Sequence, residues 1–303
     1  MNLVGYSDSE DEDENDEPVA KRLKREADQK DDDLPPLPAS FLNLYSSSVR
    51  VSNTDDPSLH HGRKRVVKHV EGNWPTHVYL EWLPSPAEHD TLNRLLKALP
   101  DSSNVHSLLQ TPLQVPLPLH ISLSAPLVLR TENKDSFLDT ITQGLTSVIR
   151  SLRHPITVRP ASLSWHANDD QSRYFLVLRV QDSQQTDPSA LTLLNQLLSA
   201  SNKAALQYSQ PQLYSKLKRQ AGSSDFSPYF HISIAWSLPS PDCNLQDDDL
   251  TSQPAVDAIL EQLCEDMVVS FDAVKIRIGQ IVTALPIGSK QPQSSRTKRG
   301  LFG

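Results

Sequence analysis

The sequence predicts an α+β fold: two pseudo-symmetric lobes of mainly antiparallel sheet, with outer helices, around a central cleft. Three observations lead there. Strand-like and helix-like segments are interspersed along the 303 residues without strict β–α alternation, which argues against a doubly wound parallel sheet. One strand pattern occurs twice, as Leu119-His120-Ile121-Ser122-Leu123-Ser124 and as Phe230-His231-Ile232-Ser233-Ile234-Ala235, 111 residues apart (231 − 120). Each copy has its own flanking strands and helices, so a pseudo-two-fold would set the two motif strands across one cleft.

Residues 1–33 carry 13 acidic and 5 basic side chains and few large apolar ones, so a disordered acidic tail is expected. That tail holds the whole net charge of −8, leaving 24 charges of each sign in the other 270 residues. A neutral fold behind an acidic tail is compatible with a nucleic-acid substrate. Inside the tail, Lys21-Arg22-Leu23-Lys24-Arg25 is a dense basic cluster that reads as a nuclear-import address.

The domain is expected over 34–288. It opens with Leu34-Pro35-Pro36-Leu37-Pro38, which resists helix and leads into Phe41, Leu42 and Tyr45. Residues 46–70 read as a loop with a basic run at Arg63, Lys64, Arg65 and Lys68, and 76–82 have strand composition. Leu92, Leu95, Leu96 and Leu99 mark a helix stopped by Pro100. After the first motif, Phe137, Ile141, Leu145, Val148 and Leu152 predict a helix over 134–152. Strands follow near 157–165 and 173–181, joined by a polar loop over 166–171. Leu191, Leu194, Leu197 and Leu198 mark another helix, and a polar stretch over 207–229 carries Lys216, Lys218 and Arg219 into the second motif. An acidic loop over 240–252, a helical stripe at Val256, Ile259, Leu260 and Leu263, and strands over 268–276 and 281–285 complete the domain. Residues 289–303 read as a flexible polar tail.

A hydrophobic content of 37% supports a core, and 23 prolines imply many turns. The two cysteines, Cys243 and Cys264, stand in no metal-type pair, which argues against a disulfide framework and a Cys-rich zinc site. No run of 18 apolar residues exists, and the N-terminus lacks a signal-peptide core, so a soluble, non-secreted protein without membrane contact is expected; a monomer is the expected state.

The repeated strand carries the chemistry. Residues i and i+2 of a strand share a face, so each copy aims one imidazole and one hydroxyl the same way. Two imidazoles suit phosphodiester chemistry near neutral pH: one takes a proton from the attacking hydroxyl, the other gives one to the leaving oxygen. The hydroxyls of Ser122 and Ser233 are placed to hold the non-bridging oxygens. A bare His-x-Ser is weak among ten histidines. The shared frame, with Ile between and aliphatic residues after Ser, is much stronger. No carboxylate cluster stands at metal-ligand spacing, so neither metal nor cofactor is expected. His77 reads as a packed or capping histidine, and Asn168, Asp169 and Gln171 read either as nucleotide contacts from their loop or as solvated loop residues.

These motifs resemble the 2H phosphodiesterase superfamily, named for its two His-x-Ser/Thr signatures. Within it, the chain is similar to the nuclear phosphodiesterases that trim the 3′ end of U6 small nuclear RNA. The likeness rests on Leu34-Pro35-Pro36-Leu37-Pro38, on Gly72-Asn73-Trp74-Pro75-Thr76-His77-Val78-Tyr79, on the first motif, and on Pro228-Tyr229-Phe230-His231-Ile232-Ser233-Ile234-Ala235-Trp236. It implies a metal-independent 3′→5′ exoribonuclease acting on an oligouridine end. A ribose 2′-hydroxyl attacks the adjacent phosphate and leaves a 2′,3′-cyclic phosphate, which some members open. It also implies His120 as base and His231 as acid, with roles reversing if the ring is opened. Substrate contacts are implied around the motifs, at Ile121, Asp169, Phe226, Ser227, Pro228, Tyr229, Phe230 and Ile232. Relatives place an aromatic before the second histidine to stack on the terminal base. Six residues before His231 this chain has Asp225, so Phe226, then Tyr229, are the expected substitutes, worth ~1–3 kcal/mol in stacking. Two alternatives stand beside this one: a cyclic phosphodiesterase acting on tRNA-splicing products or small cyclic nucleotides, and a non-catalytic RNA-binding module.

Overall fold

A computed structural model describes residues 70–99, 105–111, 113–168, 171–183, 188–216, 224–238 and 253–288. The acidic tail, the basic clusters at 21–25 and 63–68, the proline-rich opening, Asp169, Lys218, Arg219, the 240–252 loop and the last 15 residues lie outside them.

Among the described residues two five-stranded sheets form, and every strand pairing is antiparallel. The first is built on β1 (Asn73–Trp82), whose one edge pairs with both β3 (Leu119–Ser122) and β4 (Leu127–Arg130). Its other edge pairs with β9 (Ala273–Ile278), which pairs in turn with β10 (Ile281–Pro286). The second sheet runs β2 (His106–Ser107), β7 (His231–Ser237), β6 (Tyr174–Asp182), β5 (Ile156–Ala167), β8 (Val269–Phe271). Each sheet therefore carries one His-x-Ser, on β3 and on β7.

The lobes do not coincide with halves of the chain. The expected single strand over 268–276 is two strands: β8 belongs to the second sheet and β9 to the first. Asp272 is the crossing point, and its carbonyl accepts from Ile287 N at 2.6 Å. The pair β9–β10 thus closes the lobe that the N-terminal β1 began. The β9–β10 turn needs Gly279: its φ is +62°, and an added Cβ would stand 2.7 Å from the Trp74 ring.

Helices cover the outer faces. Helix α1 (Pro86–Ala98) starts with a capping box in which Ser85 Oγ accepts from Glu88 N and the Glu88 carboxylate accepts from Ser85 N. Its Leu92, Leu95 and Leu96 are buried, and it packs on α4 (Pro254–Asp266). Helix α2 (Lys134–Ile149) buries Phe137, Ile141, Leu145 and Ile149, with Ile149 in place of the expected Val148, and ends three residues short of the expected 152. It packs on α3 (Ala190–Gln207), which runs nine residues beyond Leu198. The extension has a small-residue face, Ser201, Ala204 and Ala205, that a leucine stripe cannot reveal. Gly144 and Ala200 bring the two helices close, a Cβ at 144 lying 3.7 Å from that of Ala200. Motif residues Leu119, Ile121, Ile232 and Ile234 point inward and join these helices in one core. That inward half of each motif sends His120, Ser122, His231 and Ser233 to the opposite face.

Candidate active site

Strand β3 packs against β7, so the two motif strands meet across the lobes. The positive charge of a protonated His231 reaches His120 and lowers its pKa, as two imidazoles in one cleft require.

Register fixes the rest of the first wall. Tyr79 lies opposite Ser122 and Glu81 opposite His120 on β1, while Arg277 and Lys275 of β9 lie opposite His77 and Tyr79. One polar sheet face therefore presents His120, Ser122, His77, Tyr79, Glu81, Lys275 and Arg277. Glu81 and the largely buried Lys275 form an ion pair across it. His77 Nε2 lies 3.2 Å from Ser122 Oγ. Its ring stacks on Tyr79 at 5.2 Å and meets the edge of His120 at 5.4 Å. Burial first, then the charges of Arg277 and His231, push His120 down to about 4. The residue keeps solvent exposure, yet the surrounding protein and the two charges leave its ring neutral at pH 7. Burial, His120 and Arg277 push His77 to about 3.

The second wall holds His231 more firmly. A carbonyl oxygen only accepts, so the 2.7 Å contact between His231 Nδ1 and Tyr229 O places a proton on Nδ1 and leaves Nε2 for the cleft. The same carbonyl accepts from Tyr214 OH at 2.9 Å. Arg179, opposite His231 on β6, donates to the Pro228 carbonyl and to His166 Nε2, the latter at 2.7 Å. The His166 ring stacks on His231 at 6.0 Å. Burial lowers the His231 pKa most; the Tyr229 carbonyl raises it and Arg179 lowers it.

The turn before His231 is built from Asp225. Its carboxylate accepts from Ser227 N at 3.0 Å and Ser227 Oγ at 2.6 Å, opening the 3₁₀ turn Ser227–Tyr229. Asn195 of α3 donates to Asp225 at 2.8 Å and accepts from Phe226 N at 2.8 Å. These hydrogen bonds, Ser227 first, hold the Asp225 carboxyl below its usual range. Asp225 thus braces the turn through Ser227 where an aromatic is expected.

The two motif strands pack together and His231 acts on His120; the expected stacking residues do not all follow. Phe226 is only 8% exposed and stacks on Tyr214 at 5.5 Å, so it offers a base little ring surface. Tyr229 is half-buried, with the Arg179 guanidinium 5.9 Å from its ring centre. Ile121, Phe230 and Ile232 are at most 1% exposed, so only their main chain can face a substrate. Pro228 is exposed and Ser227 half-buried. Asn168 is engaged in the β5–β6 turn, accepting from Arg173 N at 3.0 Å. Sequence reasoning missed Arg179, Arg277, Lys275 and His166. A signal existed for the cations: a lone charge alternating with apolar neighbours inside a strand must face something polar.

A family model described as HVSL, an uncharacterised conserved protein, matches residues 35–286. The Neurospora crassa U6 snRNA phosphodiesterase 1 is 37% identical over 284 residues, covering 85% of this chain and 75% of that protein. The human protein of the same name is 28% identical, covering 78% and 79%. The structure of Kluyveromyces marxianus Usb1 with uridine monophosphate aligns at 20% identity and a TM-score of 0.46, over 70% of this chain and 98% of that one. With a matched segment that includes both His-x-Ser strands, this chain belongs to the family of the U6 snRNA phosphodiesterase 1 proteins.

Proposed function

We propose that this protein is a 3′→5′ exoribonuclease that trims the oligouridine end of U6 small nuclear RNA by 2′-hydroxyl attack. What carries the proposal is the meeting of His120 and His231 across β3 and β7. His120 is the base: with the charge of Arg277 holding its pKa down, it stays neutral and takes the 2′-hydroxyl proton as the oxygen bonds to phosphorus. His231 is the acid: the Tyr229 carbonyl stabilises its protonated form, and Nε2–H gives its proton to the departing 5′-oxygen as the P–O5′ bond breaks. Ser122 and Ser233 donate to the non-bridging oxygens while charge develops there. The products are a released 3′-terminal nucleoside and a 2′,3′-cyclic phosphate. Water then opens the ring if the two imidazoles exchange roles.

Both proton transfers are supplied by side chains, so the step asks for no metal, and one chain contains both lobes of the cleft. The Lys21–Arg25 cluster is proposed to direct the protein to the nucleus, through a tail that takes no part in the chemistry. Among the described residues, no helix is long and apolar enough to cross a membrane. The decisive experiment is incubation of 3′-oligouridylated RNA with excess EDTA, followed by mass analysis of the termini. Shortening with cyclic or opened phosphate ends is expected. A penultimate deoxyribose should stop release of the last nucleotide, and continued cleavage of that substrate would make water the nucleophile.

A further inference from the structure

We propose that His77 is a positioning residue for this reaction: it orients the Ser122 hydroxyl so that its proton points to the phosphate. The inference rests on the function proposed above, with Ser122 as a phosphate-holding group. A serine hydroxyl has one proton to donate and two lone pairs. If that proton were spent on His77, none would remain for a non-bridging oxygen. The 3.2 Å contact works for catalysis only when His77 Nε2–H is the donor and Ser122 Oγ the acceptor. The ring is held for that purpose, stacked on Tyr79 and set edge-on to His120. His77 stays neutral through the working range, so it carries one N–H and one lone pair and cannot compete with His120 or His231 for the transferred proton. Accepting from His77 also polarises Ser122, which strengthens the hydrogen bond it gives to an anionic oxygen. His77 itself touches no reacting atom.

The test pairs single-turnover cleavage of oligouridylated RNA with stereopure phosphorothioates at the scissile phosphate. His77→Leu should slow cleavage by roughly 10–100-fold, about as much as Ser122→Ala. The double variant should be no slower than Ser122→Ala alone, whereas His77→Leu and Ser233→Ala, on opposite lobes, should combine additively. His77→Gln, which keeps an N–H donor and cannot ionise, should recover most of the rate. Both His77→Leu and Ser122→Ala should shift the Rp/Sp rate ratio in the same direction. Additivity of His77→Leu with Ser122→Ala, or an unchanged Rp/Sp ratio in His77→Leu beside a changed one in Ser122→Ala, overturns the inference. Should His77→Leu melt below assay temperature, the Rp/Sp ratio of His77→Gln decides: wild-type-like supports the inference, Ser122→Ala-like overturns it. Wild-type rates in both Ser122→Ala and His120→Ala would instead defeat the proposed site itself.

Discussion

The Tyr229 carbonyl accepts the Nδ1 proton of His231 at 2.7 Å, and this one contact makes the two catalytic imidazoles unequal. His120 sits beside Arg277, which works against a second proton on its ring. His231 also faces a cation, Arg179, but has a carbonyl positioned to stabilise the imidazolium. Near-symmetric motifs thereby acquire different proton affinities, which is what an acid–base pair needs.

Removing either imidazole should remove one of two concerted proton transfers. His120→Ala and His231→Ala should each lower turnover on oligouridylated RNA by ~10²–10⁴-fold. Ser122→Ala and Ser233→Ala should cost less, because the proton transfers survive. Single-turnover rates check this, with melting temperatures to show that the fold is intact. Near wild-type turnover in either histidine variant would sink the shared-site mechanism.

Both histidines are shifted below the usual 6.5, His120 to about 4. The productive free enzyme carries one proton on the pair. That form is lost as pH rises through the higher of the two pKa values, which lies below 6.5. The kcat/KM profile should therefore peak on the acid side of pH 6.5 and decline toward alkali. The kcat profile should sit higher, because a bound phosphate anion stabilises the imidazolium. A kcat/KM optimum above pH 7.5 would contradict this ordering.

Acid should destabilise the fold through the same burial. His77 is held at about 3, so between that value and 6.5 the unfolded chain binds a proton that the folded chain refuses. Stability is then complete above pH 6.5 and is lost as pH falls toward 3. Urea unfolding of His77→Gln should show a shallower decline over that window than the wild type. An identical slope would place the acid lability elsewhere.

The motif residues and the antiparallel lobes are legible in the sequence because period two is a local property. Ile121 and Ile232 must face the core if His120 and His231 face away from it. The sheet change at Asp272 is not legible, since 268–276 reads as one apolar strand and only long-range pairing divides it. Strand β4 escaped for a related reason: four residues, Leu127–Arg130, carry too little pattern to stand out from a loop. Phe226 was expected at the base because of where it stands in the chain. The Asn195–Asp225–Ser227 hydrogen bonds instead fix its backbone, and its ring packs on Tyr214.

Gly279 should resist substitution although it lies far from the histidines in sequence. Its φ of +62° disfavours any L side chain, and a Cβ would stand 2.7 Å from Trp74, itself hydrogen-bonded to Thr131 at 3.0 Å. Gly279→Ala should cost ~1–3 kcal/mol in urea unfolding. A change under a few tenths would mean that the turn relaxes freely.

Arg179 is the side chain through which the second wall is set. One guanidinium bonds the Pro228 carbonyl and His166 Nε2, and its charge lowers the His231 pKa. Lysine keeps the charge but cannot reproduce the planar two-ended fork. Arg179→Lys should therefore lower kcat, by about 10-fold, with little change in the pH profile. Arg179→Gln removes the cation as well, so the His231 pKa should rise and carry the alkaline limb of kcat/KM to higher pH. Titration of His231 by NMR measures that shift directly. If the His231 pKa in Arg179→Gln equals the wild-type value, Arg179 does not tune the acid, and its role reduces to bracing the 3₁₀ turn.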